Sequence, residues 1–86
     1  MSSLTFAPSF IRQYKKLEIS LQEEVLEKIE LFKHDSNHKL LKVHKLHGEM
    51  SNCYSFSVNY AYRIVFSYNK NREISLLSIG SHDIYI

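Results

Sequence analysis

The residues of this chain best suited to chemistry gather in two places. One is a cationic run from His38 to His47, HKLLKVHKLH, and the other is the C-terminal Gly80-Ser-His-Asp-Ile-Tyr85. Between them Arg63 sits in a stretch of alternating character. Imidazole exchanges protons near neutral pH, and guanidinium is a permanent cation whose planar fork matches phosphate oxygens. Together on one face, such groups form the set that RNA cleavage needs. A base takes the 2′-OH proton, a cation stabilises the pentacoordinate phosphate, and an acid protonates the departing 5′-oxygen. His44 or Lys45, Arg63 and His82 are the candidates.

Each candidate also has a plainer reading. Arg63 can pair with Glu73 or Glu49, His82 and Asp83 can form a C-terminal turn, and Tyr85 can cover the helices. Residue types alone support a small cytosolic α+β domain with a basic face. A metal site is a weaker reading. His34–His38 and His44–His47 have ligand-like spacings, but no carboxylate or second cysteine accompanies them and the segment lacks helical periodicity. The expectation is cationic loop residues, no metal and no cofactor.

The balance of charge points the same way. Residues 1–35 carry five Lys/Arg against six Asp/Glu, and residues 36–86 carry six against three. A net charge of +2 does not mark a nucleic-acid binder, but the excess lies with the alternating strands and favours a phosphate-bearing partner. The 86 residues make one expected domain, 1–86, and 44% hydrophobic content with two glycines and one proline argues against disorder. Cys53 is the lone cysteine, so no internal disulfide forms and a reducing cytoplasm is the expected setting. No stretch approaches the ~20 apolar residues of a membrane span, and Met1-Ser-Ser-Leu does not read as a signal peptide.

The elements that must position these groups follow from periodicity. Ser3–Phe6 reads as a short strand. Pro8 opens a helix over about 8–17, with Phe10, Tyr14 and Leu17 as its apolar stripe. Ser20-Leu-Gln-Glu23 reads as a capping box. The helix it opens has Leu21, Val25, Ile29 and Phe32 on one face, a Glu24–Lys28 pair on the other, and an end near Lys33. Asp35-Ser-Asn37 is a turn. From Cys53 the period becomes two, with Tyr54, Phe56, Val58, Tyr62, Ile64 and Phe66 on the apolar side.

This hairpin should pair Val58 with Tyr62, Phe56 with Ile64 and Ser57 with Arg63 around Asn59-Tyr-Ala61. A turn at Asn69–Arg72 leads to a further strand, Glu73–Ile79, apolar on both faces. If Tyr68 meets Glu73, then Ile64 meets Leu77 and Arg63 meets Ser78. A Ser57–Arg63–Ser78 row then crosses the face away from the helices, and a one-residue slip would destroy it. The expected architecture is α+β: an antiparallel, mixed-edge sheet of about four strands with a helical hairpin on one face.

The order β-α-α-β-β-β resembles the RelE/ParE superfamily of type II toxin–antitoxin toxins. It is accompanied by L-x-G before Tyr54-Ser-Phe-Ser-Val58, then Tyr62-Arg-Ile-Val-Phe66, then Leu76-Leu-Ser-Ile-Gly80-Ser-His-Asp-Ile-Tyr85. The likeness covers nearly the whole chain and is sharpest over Lys45–Tyr85. His44-Lys-Leu-His-Gly48 is similar to the H-x-L-x-G segment of YafQ-like toxins, and Gly80-Ser-His82 to their G-x-H. By that resemblance His44 and His82 are catalytic. In RelE itself an Arg occupies about the His82 position and a Tyr lies near Tyr85. Ser57 and Ala61 stand where YafQ-like toxins place a further His and an Asp.

The resemblance implies a microbial, metal-independent endoribonuclease that cleaves mRNA on the ribosome. His44, Arg63 and His82 would be catalytic, and Lys42, Lys45, His47, Ser57, Asp83 and Tyr85 would contact RNA. It also implies a cognate antitoxin, held in a toxin–antitoxin hetero-oligomer, and no membrane. The alternatives are a ParE-like toxin that inhibits DNA gyrase and a catalytically impaired relative. An apolar groove over the two helices would suit an antitoxin helix.

Overall fold

The structure, a computed structural model, describes residues 3–34, 37–48 and 52–81. Their elements are β1 (Leu4–Phe6), α1 (Pro8–Lys15), α2 (Ile19–Phe32), β2 (His44–Lys45), β3 (Tyr54–Ser57), β4 (Tyr62–Tyr68) and β5 (Ile74–Ser81). The sheet order is β1-β5-β4-β3-β2, with β1 parallel to β5 and the other neighbours antiparallel. The α+β class is as expected. The additional strand is β2, which the sequence suggested only as part of a cationic loop.

Pro8 occupies the start of α1, where its missing N–H costs nothing. Phe10 is buried, and Tyr14 and Leu17 pack against the same core. The expected capping box is not made. Glu18 is the N-cap of α2, no side chain caps that end, and Ser20 lies inside the first turn. The reason is the shortness of the connection: Leu17 must reach the core, so the chain turns over Lys16–Glu18. The Gln22 side chain then donates to the Tyr14 carbonyl at 3.0 Å and ties the two helices together. Glu24 does not pair with Lys28 either. Its carboxylate accepts from Asn59 Nδ2 at 2.8 Å, and Lys28 lies 3.5 Å from Glu27.

Phe32 is the centre of the core. Its ring stacks on Phe56 at 4.2 Å and meets Phe66 edge-on at 4.7 Å, so the end of α2 is pinned to β3 and β4 together. Val25, Ile29, Leu41, Val58, Ile64, Ile74, Leu76 and Ile79 complete this side. The even-numbered positions of β3 and β4 therefore face the helices, as their alternation indicates.

The β3–β4 hairpin has the expected register, with Phe56 opposite Ile64 and Ser57 opposite Arg63. The Val58 N–H donates to the Tyr62 carbonyl at 3.0 Å. Between β4 and β5 the register differs from expectation. Tyr68 pairs with Ile74 rather than Glu73, because Asn69 organises a longer turn. Its side-chain carbonyl accepts from the Asn71 and Glu73 N–H groups at 2.9 Å, and Arg72 adopts φ 62°. A bulge then shifts the ladder once more, so that Val65 faces Ser78 and Arg63 faces Gly80.

The bulge also explains why β5 looked apolar on both faces. Ile74 and Leu76 point to the core in one phase and Ile79 in the other. Helix α1 secures this irregular stretch. Where β1 stops, the Ser9 hydroxyl donates to the Leu77 carbonyl, and the Gln13 side-chain carbonyl accepts from the Ile79 N–H at 2.8 Å. Two side chains one helical turn apart thus satisfy the edge that β1 leaves bare.

Candidate active site

The two shifts in the β4–β5 ladder add to two residues, so Arg63 keeps its face but changes its partner. The expected Ser57–Arg63–Ser78 row is corrected to Ser57–Arg63–Gly80, and Ser78 lies instead in the neighbouring row, opposite Val65. Gly80, the partner of Arg63 on β5, adds no side chain to this row. Pairing of Arg63 with Glu73 is excluded by the same register. Glu73 precedes Ile74 at the far end of β5, where it meets Asn69 and Ser3. Glu49, the other suggested partner, lies outside the described residues.

His44 enters this face through β2. It pairs with Ser55, and Ser55 with Val65, which makes a row one step along the strands from Ser57–Arg63–Gly80. With strands about 4.8 Å apart and two residues spanning about 6.7 Å, His44 and Arg63 have backbones on the order of 12 Å apart. An imidazole and an extended arginine can both reach a phosphodiester placed between them. Lys45 pairs with Tyr54 and so belongs to the opposite, helix-side face. Of the two, His44 is the one that shares the face of Arg63.

The hydrogen bonds of His44 define its chemistry. Nδ1 lies 2.9 Å from the Lys42 carbonyl, which can only accept, so Nδ1 carries the proton. In neutral imidazole Nε2 is then the lone-pair nitrogen. It faces the Ser55 hydroxyl at 3.4 Å. The contact that aims the ring comes from a residue in a left-handed turn, Lys42 at φ 59°. The exposed His44 ring is thereby fixed between the Lys42 carbonyl and the Ser55 hydroxyl.

The floor of this face is desolvated. Ser55 and Val65 have no exposed surface and Leu46 is buried, and Val65 and Leu46 lie outside the helix-side core cluster. Arg63 is half-buried, with its Nε enclosed. A cation seated on an apolar floor acts on a bound anion through a lower dielectric than one standing in water. Ser57 is half-buried beside it. Lys42 and His47 are exposed; Lys42 precedes β2 and His47 follows it.

His82, Asp83 and Tyr85 lie outside the described residues. Their last described neighbour is Ser81, which pairs with Tyr62. Ser55 and the Lys42 carbonyl are site groups that the sequence reading missed. Ser55 shares the parity of Ser57 and was legible as a face residue. The carbonyl contact depends on a left-handed lysine and has no sequence signal. Among the described residues no three His, Cys, Asp or Glu side chains gather as metal ligands, and no helix is long and apolar enough to cross a membrane.

A second feature lies on the helical side. Phe6, Phe10, Ile11, Tyr14, Leu26 and Ile29 line a groove of about 330 Å³ between β1, α1 and α2. Phe6, Ile11 and Leu26 are 45%, 41% and 51% exposed, so they are not core residues. The groove over the helices thus has exposed rims, Phe6, Ile11 and Leu26, and a floor of the core residues Phe10 and Ile29.

No family model and no curated protein matches this sequence. Solved structures do match. A YoeB/ParE toxin from Agrobacterium tumefaciens superposes with a TM-score of 0.74 at 18% identity, over 93% of this chain and 98% of that one. RelE in the archaeal RelE–RelB complex of Pyrococcus horikoshii gives 0.72 at 18% identity, over 93% of each chain. The YoeB–YefM complex of Staphylococcus aureus gives 0.72 at 21%, over 95% of this chain and 98% of that one. YafQ from Escherichia coli gives 0.69 at 9%, over 98% and 97%. At such identities the likeness lies in the backbone, and it spans practically the whole of each molecule. The chain has the fold of the RelE/ParE superfamily, the one in which YoeB, RelE and YafQ are built.

Proposed function

We propose that the protein is the toxin of a type II toxin–antitoxin pair and an endoribonuclease that cleaves mRNA on the ribosome. The observation that carries this reading is that His44, its Nδ1 anchored to the Lys42 carbonyl and its Nε2 within 3.4 Å of the Ser55 hydroxyl, shares a sheet face with Arg63 and Ser57. His44 Nε2 takes the proton of a ribose 2′-OH. The 2′-oxygen attacks the adjacent phosphorus, and Arg63 offsets the charge on the non-bridging oxygens as the fifth bond forms. The P–O5′ bond breaks, and His82, two residues beyond Gly80 in the chain, protonates the leaving oxygen. The products are a 2′,3′-cyclic phosphate and a 5′-hydroxyl. Lys42, His47, Ser57, Asp83 and Tyr85 contact the strand, and Lys45 belongs to the other face of β2.

The solved RelE–RelB and YoeB–YefM complexes support an antitoxin partner, and the exposed apolar groove of Phe6, Ile11 and Leu26 is the seat proposed for its helix. The test is induction of wild type beside His44→Ala and Arg63→Ala. Growth arrest with cleaved mRNA for wild type, absent in both variants, supports the reading. Equal arrest by all three overturns the assignment. Arrest with intact mRNA and a DNA-damage response identifies gyrase inhibition instead. No arrest by any of them marks an impaired relative.

A further inference from the structure

One exposed feature remains outside the proposed catalytic set. Tyr60 stands at the tip of the β3–β4 hairpin with 95% of its surface exposed, although tyrosine usually covers apolar neighbours. The loop that holds it is well tied. Asn59 Oδ1 accepts from the Ala61 and Tyr62 N–H groups at 2.8 Å, and Asn59 Nδ2 donates to Glu24 on α2 at 2.8 Å. The ring is thus presented on a braced turn. Behind it lies a cavity of about 360 Å³, whose wall includes Lys28, Leu40, Lys42, Ser57 and Tyr60. That volume falls within the ~300–1,000 Å³ of small-ligand pockets. Leu40 is 70% exposed, so the mouth carries a second uncovered apolar group.

We propose that Tyr60 is a base-stacking residue and that this cavity takes an unstacked nucleobase of the RNA strand, which makes it a determinant of cleavage-site preference. The inference rests on the RNA-cleaving reading. Two features of the cavity choose the occupant. Ser57 lines the cavity at the end of β3 and pairs across the ladder with Arg63, so the cavity, whose inner wall is Leu31, Leu41 and Val58, lies one strand away from the proposed scissile position. Its charged lining groups are lysines, Lys28 and Lys42, which suit the phosphates flanking a base. An exposed aromatic ring beside cations is the arrangement by which proteins hold single-stranded nucleic acid.

The test uses full-length protein carrying His44→Ala, which removes the proposed base, so that RNA binding is read without cleavage. Affinity for a short single-stranded RNA, free and on programmed ribosomes, is measured for this parent and with Tyr60→Ala or Tyr60→Phe added. Loss of the ring should weaken binding about 5- to 150-fold, the range that one base–aromatic stack supplies. Phe, which keeps the ring face, should bind within about twofold of the parent. The slope of log affinity against log salt should be unchanged by Tyr60→Ala and reduced by about 0.7 by Lys42→Gln. Binding by the Ala variant equal to the parent overturns the inference, as does a parent that binds RNA in neither format. Tyr60-dependent binding by a protein that cleaves nothing when His44 is intact supports the pocket and overturns the cleavage reading alone.

Discussion

His44 Nε2 stands 3.4 Å from the hydroxyl of Ser55, a serine with no exposed surface, while Nδ1 is held 2.9 Å from the Lys42 carbonyl. One nitrogen is committed to the backbone, and the other accepts at 3.4 Å from the Ser55 hydroxyl on the sheet face. On the proposed mechanism His44 is the base, and His44→Ala should lower single-turnover cleavage of mRNA on programmed ribosomes by about 10²–10⁴-fold. The side chain is exposed, so unfolding by urea should be nearly unchanged. A wild-type rate in this variant would remove His44 from the mechanism.

Arg63 faces Gly80 and Ser57 on a desolvated floor. Arg63→Ala should lower kcat by about 10²–10³-fold, the cost of losing one preorganised donor to a developing anion. Arg63→Lys should recover only part, because an ammonium keeps the charge and loses the fork. Full activity with lysine would show that charge alone is needed there.

Gln13 accepts from the Ile79 N–H at 2.8 Å, and through it α1 holds β5 just past the bulge. Gln13→Ala should cost about 1–3 kcal/mol by leaving a buried amide unsatisfied. Amide hydrogen exchange at Ile79 should accelerate more than exchange at Ile64. If the two amides change equally, the loss is global and the local anchoring role is wrong.

Phe32 is 1% exposed and touches rings from β3 and β4. Phe32→Ala should cost about 3–5 kcal/mol. Against a total stability of about 5–15 kcal/mol this leaves a marginal fold. Urea unfolding should show a much lower midpoint.

Ile11 and Leu26 line the helical groove while largely exposed. Ile11→Glu with Leu26→Glu should leave growth arrest unchanged but abolish its relief by the co-expressed antitoxin, read by growth and by co-purification. Relief as complete as with wild type would place the antitoxin elsewhere.

By itself the sequence determined the class of the fold. The 3.6 period of Phe10, Tyr14 and Leu17 and of Leu21, Val25, Ile29 and Phe32 set two helices against a sheet, and the alternation from Tyr54 to Phe66 set its central hairpin. It determined the pairing of Ser57 with Arg63 as well, because a tight hairpin between two alternating strands has one register that buries both apolar sets. What the tertiary structure decided lies in the β4–β5 ladder and at β2. The turn at Asn69 and the bulge near Leu77 each move the ladder by one residue. Their sum returns Arg63 to its face but opposite Gly80. Propensity does not locate that bulge, since Ser9 and Gln13, about 66 residues or more away in the chain, satisfy its backbone. His44 was legible as a titratable residue. Its tautomer was not, because that depends on a carbonyl presented by a left-handed lysine and on a pairing with Ser55 that exists only once β2 docks on the sheet edge.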